Sequence, residues 1–196
     1  MLILSQILQV DPKPSGLIRQ ISGNNRLICY RTIPERKNCN KRKKTTMTQN
    51  TIRLSNAMAV TLPDGWADMT SELSKGPEFT VARPNVGTGA LQLSIMSYKS
   101  GVAPMPSSRD LLHFAEDFGR SRKLGPPLDK VTIDGALKLA ALSFHVDADF
   151  VRVWYVSDGL SFAFATYVCS WDERHLELEQ VERIIRTVKF VQEQSH

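Results

Sequence analysis

Side chains able to do chemistry are few in this chain and widely spaced. Its three cysteines are Cys29, Cys39 and Cys169, with no Cys-x-x-Cys among them, so neither a zinc knuckle nor a dithiol redox pair is expected. An odd count with two members near the start points to a reducing compartment. Cys169 would act as a nucleophile only with a histidine beside it in space; the other reading is a small buried thiol packed under a C-terminal helix. The histidines His113, His145, His175 and His196 never fall at the HxH or HxxxH spacing that brings two imidazoles onto one metal. His145 does lead into Val146-Asp147-Ala148-Asp149. A histidine with two carboxylates at a hairpin end could hold a metal or serve as a general base, although such residues are also ordinary turn formers.

Phosphate and acyl-transfer chemistry have no better candidates. Gly87-Thr88-Gly89 lacks the lysine and the following helix of a phosphate-cradling loop and reads as a turn. Gly-x-Ser-x-Gly is absent, and Asp147, Asp149 and Asp158 are loop acids with no evident catalytic pairing. The expectation is therefore a chain with no catalytic, cofactor-binding or metal-binding residues. Recognition is a different matter, because Trp, Tyr and Arg anchor protein interfaces. Trp66 follows a turn, Arg152 and Trp154 share one face of a strand, and Tyr155 faces the other way. Trp66, Arg152, Trp154 and Tyr155 are the candidate partner-binding residues, set against the plainer reading that the tryptophans fill the core. An arginine in a valine-rich strand must reach solvent, an acid or a partner. The rival reading is a small-ligand site or minor enzyme around His145, Asp147 and Arg152.

The elements that position these residues follow from periodicity. Residues 52–62 read as one strand closed by Pro63-Asp64-Gly65. Strands follow at 79–83 and 90–98, the latter with Leu91, Leu93 and Ile95 on one face and Gln92, Ser94 and Met96 on the other. Ser107 with Asp110 three residues on forms a capping box for a helix whose Leu111, Phe114, Ala115 and Phe118 make one apolar stripe; Gly125-Pro126-Pro127 ends it. Residues 129–133 and 136–146 turn at Asp134-Gly135, and 150–156 and 160–169 turn at Asp158-Gly159. In the last strand the large Leu160, Phe162, Phe164 and Val168 alternate with Ser161, Ala163, Ala165 and Tyr167, predicting a central strand whose small side admits a helix. Asp172 is placed to cap a final helix with Leu178, Val181, Ile184, Ile185 and Val188 on its apolar side.

Charge divides the chain. Of the 25 Lys+Arg and 20 Asp+Glu, ten basic and two acidic residues lie in 1–46, which leaves the remainder with 15 and 18. Residues 47–196 thus carry −3, and an acidic domain repels a phosphate backbone, so no nucleic-acid binding by the folded part is expected. Residues 1–46 are expected to be a disordered basic extension, or an upstream extension of the reading frame ahead of a start at Met47. Their Lys41-Arg42-Lys43-Lys44 block has a nuclear address or nucleic-acid contact as its alternative. The opening apolar residues lack a basic flank and a cleavage site, and no run approaches the ~18 apolar residues of a spanning helix; no membrane association is expected.

The turn Leu62-Pro63-Asp64-Gly65-Trp66, the helix over 107–122, the two hairpins of 136–169 and the closing Ile184-Ile185-Arg186-Thr187-Val188-Lys189-Phe190 resemble the Mog/PsbP-like fold, and within it the bacterial DcrB-like family. That resemblance spans nearly all of 50–190. It implies an α+β domain over 47–196, an antiparallel sheet of about six or seven strands sandwiched by two helices, without enzymatic activity. Proteins of this kind act as binding modules, among them GTPase binders, lumenal photosystem subunits, envelope lipoproteins, and chaperone or immunity partners of secreted bacterial toxins. This chain has no lipobox cysteine and no credible transit signal. The resemblance therefore implies a cytoplasmic bacterial protein whose partner is another protein.

Overall fold

Alternation of apolar and polar residues sets the architecture of the computed structural model, which describes residues 50–72, 79–97 and 103–191. All of them fall within one compact unit, Lys41–His196. The basic extension of 1–46, Cys29, Cys39 and His196 lie outside the described residues. In chain order come β1 (Asn50–Ser55), β2 (Met58–Leu62), β3 (Ala67–Asp68), β4 (Phe79–Ala82), β5 (Gly89–Ser97), α1 (Ser108–Ser121), β6 (Asp129–Ile133), β7 (Lys138–Val146), β8 (Asp149–Ser157), β9 (Ser161–Ser170), α2 (Arg174–Arg186) and β10 (Lys189–Phe190).

Seven strands form an antiparallel sheet in the order β3-β4-β5-β9-β8-β7-β6, and β1-β2-β10 form a second, three-stranded sheet. The fold is α+β, with α1 and α2 on opposite faces of the large sheet. One face presents Leu91, Leu93, Leu139, Ala141, Trp154, Val156, Ala163, Ala165 and Tyr167 to Val181, Ile184 and Ile185 of α2 and to Met58, Val60 and Leu62 of the small sheet. On the other, Ala140 and Phe162 meet Leu111 of α1, with Phe114 and Tyr155 against them.

Local chemistry accounts for the element ends. Ser107 and Asp110 cap α1 reciprocally: the Asp110 N–H donates to Ser107 Oγ at 3.2 Å and the Ser107 N–H to Asp110 Oδ2 at 2.8 Å, so two orphan donors are satisfied. These bonds to the charged form hold the Asp110 carboxyl below its ordinary range. The Trp66 N–H closes the turn onto the Pro63 carbonyl at 3.1 Å, with Gly65 at φ 84° where a side chain would be strained. Gly119 lets α1 approach β7 closely; a Cβ there would stand 2.5 Å from Phe144 Cζ.

Three expectations are corrected. The strand expected over 52–62 breaks at Asn56-Ala57 into the β1–β2 hairpin, which leaves the large sheet and pairs with β10. Asp172 does not cap the last helix; it sits in a 3-10 turn, Trp171–Glu173, and α2 begins after Glu173 without a side-chain cap. Leu160 precedes β9 and is exposed. The small side of β9 packs toward α2, and Trp154 of β8, opposite Ala141 on one neighbouring strand and Ala165 on the other, fills the room the alanines leave.

Candidate functional site

Period-two alternation decides where the four candidate partner-binding residues point. Trp66 lies at the end of the β2–β3 turn, buried, and its Nε1–H donates to Gln180 Oε1 of α2 at 2.6 Å. Trp154 is fully buried at the centre of β8. Arg152, two residues along the same face, is 5% exposed, and its guanidinium lies 5.4 Å from the Trp154 ring. Its Nε donates to Glu182 at 2.7 Å, and its Nη1 to Asp129 at 2.6 Å and Ser143 at 2.5 Å. The arginine thus reaches two acids, and its charge is neutralised across β6, β8 and α2. Tyr155 alone of the four is partly exposed, and it faces α1.

The residues of the rival ligand site do not converge. The exposed His145 ring stacks on Trp171 with centroids 3.8 Å apart, and Arg174 lies 3.8 Å over the same residue's ring. Asp147 occupies the β7–β8 turn at φ 54°. Burial, and to a lesser degree Asp147, raise the Asp149 carboxyl above its ordinary value. Arg152 is committed to Asp129, Glu182 and Ser143. Among the described residues no group of three or more His, Cys, Asp or Glu is placed to hold a metal ion. Cys169 is buried beneath α2, and that burial pushes its thiol up to about 11, far from a neutral-pH nucleophile.

One polar cluster was not anticipated. Glu177, on the first turn of α2, is 1% exposed. Its Oε2 accepts from the Tyr167 hydroxyl at 3.1 Å and from the N–H and Oγ1–H of Thr88, each at 3.2 Å, while Oε1 lies 3.6 Å from Arg83 Nη1. Burial raises the Tyr167 phenol well above its ordinary value. The cluster ties the turn before β5 to β9 and α2. Its signal was in the sequence: Glu177 stands four residues before Val181, on the apolar stripe of the helix, where an acid must find partners.

Among the described residues, the α1 face of the sheet is left partly open away from α1 itself. The main contacts of α1 are with β6, β7 and β8, so the same face of β5 and β9 is only half covered. Ala90, Gln92 and Ser94 of β5 and Phe164 and Val168 of β9 are all partly exposed there. An aromatic chain crosses this face: Tyr155 and Phe164 with ring centroids 4.9 Å apart, Phe164 and Phe118 at 4.9 Å, and Phe114 at 5.9 Å from Tyr155. At its end Met96, paired with Phe162, is 41% exposed, Leu160 38% and Met105 59%, and the Met105 N–H reaches the Gly159 carbonyl at 3.2 Å. Flexible thioethers beside aromatic rings suit an adaptable apolar contact.

No protein-family model matches the chain, and no curated protein sequence matches it. Among solved structures, PsbP (CyanoP) from Synechocystis sp. PCC 6803 is similar at 8% identity and a TM-score of 0.50, over 79% of this chain and 98% of that one. The fold is therefore PsbP-like. A protein from Bacteroides thetaiotaomicron VPI-5482 is similar at 14% identity and a TM-score of 0.48 over 70% of this chain, which spans 46% of that protein's length. Among the described residues no helix is long and apolar enough to cross a membrane.

Proposed function

We propose that this chain is a non-catalytic protein-binding module that receives another protein on the open half of its α1 face. One observation carries the reading: the partly exposed Tyr155 and Phe164 and the exposed Met96, Met105 and Leu160 gather on one side of one sheet. Apolar surface gathered in this way is the mark of an interaction site. The ionisable side chains of the opposite face, by contrast, are spent on each other. On this reading Tyr155 is a contact residue, whereas Trp66, Trp154 and Arg152 hold the sheet behind it.

The finer assignment is to the DcrB-like branch of the fold, as a cytoplasmic adaptor, chaperone or immunity partner of a secreted bacterial protein. The acidic balance of 47–196 supports a protein rather than a nucleic acid as the partner of the folded part. The test is affinity capture from the host lysate with the tagged full chain, a Met96→Asp/Leu160→Asp variant and a Lys189→Glu variant. The expected result is one stoichiometric protein retained by the wild type and Lys189→Glu and lost from the double variant. Equal capture by all three would overturn the assignment to this face.

A further inference from the structure

The outer edge of β6 carries a self-complementary code. This strand ends the seven-stranded sheet, and among the described residues it pairs only with β7. Asp129, Lys130, Thr132 and Ile133 are exposed and Val131 half-buried. The outward N–H and C=O groups of such an edge are a template for another strand. We infer that the occupant is a second copy of this chain, its β6 running antiparallel across a twofold axis at Thr132.

Geometry restricts the register. A twofold perpendicular to a continuous sheet keeps each face with its like, so residues directly opposite must share a face. In β6 the α2 face carries Asp129, bonded to Arg152, and Val131, packed on the core; the α1 face carries Lys130, whose Nζ lies 2.5 Å from Glu116 of α1. Just past the strand, Asp134 accepts from Ser108 Oγ of α1 at 2.9 Å. An axis at Lys130 would oppose two lysines, and one at Val131 would set Asp129 against Ile133. An axis at Thr132 sets Lys130 opposite Asp134 twice, Val131 opposite Ile133 twice, and threonine opposite threonine. Charge then meets opposite charge and apolar meets apolar, the cross-strand pairs that stabilise a sheet. Ile133, 36% exposed in the single chain, gains an apolar neighbour. Existing contacts survive, because an ammonium has three donors and a carboxylate accepts several bonds.

This surface lies at the opposite edge of the sheet from β4 and β5, and the inference stands or falls independently of the protein-binding reading. The test is sedimentation velocity of the full chain over a concentration series, with Thr132→Lys, Lys130→Asp and Lys130→Asp/Asp134→Lys variants checked for retained fold by circular dichroism. The wild type is expected to show a concentration-dependent dimer that is lost in Thr132→Lys and Lys130→Asp and recovered in the charge swap. With Cys29 and Cys39 replaced by serine, Thr132→Cys is expected to give an oxidised covalent dimer and Lys130→Cys none. A monomer at every concentration, a dimer indifferent to Thr132→Lys, or equal cross-linking through both cysteines would overturn the inference.

Discussion

The two faces of the large sheet are built to opposite rules. The α2 face is closed: Trp154, Tyr167, Leu91 and Leu93 are fully buried under α2 and the small sheet, and the two buried charged side chains of that layer, Arg152 and Glu177, are each held by acids or donors from other elements. The α1 face is half open, and its aromatic residues Phe114, Phe118, Tyr155 and Phe164 touch one another while remaining partly exposed. Neighbouring residues on one strand therefore serve different ends. Trp154 supports the fold, and Tyr155 lies on the half-open face.

The sharpest way to break this comparison is to truncate both members of that pair. Trp154→Ala removes a fully buried indole flanked by Ala141 and Ala165, side chains too small to fill the void. The expected loss is about 3–5 kcal/mol of unfolding free energy, read by urea denaturation. Tyr155→Ala, on the half-covered face, is expected to cost less than half as much and to weaken partner capture. Equal losses would mean that the α1 face is as much core as the α2 face.

Much of this division was legible in the sequence, and the reasons differ by element. The capping box at Ser107 and Asp110, the stripe of α1 and both long hairpins rest on interactions within about twenty residues, so pattern alone reaches them. The alternation of Leu91, Leu93 and Ile95 with Gln92, Ser94 and Met96 likewise separated the two faces of β5. Long-range choices were not legible. Nothing local told that β1 and β2 would leave the large sheet for β10, a strand of two residues at the other end of the domain. Among the candidate site residues, the burial of Trp66 depends on Gln180 and that of Arg152 on Asp129 and Glu182, partners that only the assembled layers bring near. Glu177 could have been found, since it stands on the stripe of α2, but its partners Thr88 and Tyr167 come from two distant strands.

A smaller effect tests how tightly α1 is held to its own half of the sheet. Gly119→Ala would place a Cβ 2.5 Å from Phe144 Cζ, and the ring, fixed between β7 and the helix, has to shift. The gain in helix propensity is outweighed by overpacking, and a net loss of roughly 1–3 kcal/mol is expected. Phe144→Leu in the same chain should recover part of it. A stabilised Gly119→Ala would show that α1 sits loosely, and that the boundary between the covered and open halves of this face is not fixed.

The smallest effect concerns the start of the same helix, beside the exposed Met105. Ser107→Ala leaves the Asp110 N–H without its acceptor and removes one donor to the Asp110 carboxylate, for an expected loss of about 1 kcal/mol. Its pH dependence has a definite sign. The folded-state carboxyl of Asp110 is held below the ordinary value of 3.8, chiefly by the Ser107 side-chain hydrogen bond and then by the Ser107 N–H. The stabilisation is therefore fully present above that value and is lost as pH falls through the lower, folded-state value. Wild type and Ser107→Ala should differ most in unfolding free energy at neutral pH, and the difference should narrow in acid to the part supplied by the Asp110 N–H to Ser107 Oγ bond, measured by denaturant titration at a series of pH values. A difference that persists unchanged into strong acid would remove the carboxylate from the cap. The order at the mouth of the open face would then rest on the Ser107 hydroxyl alone.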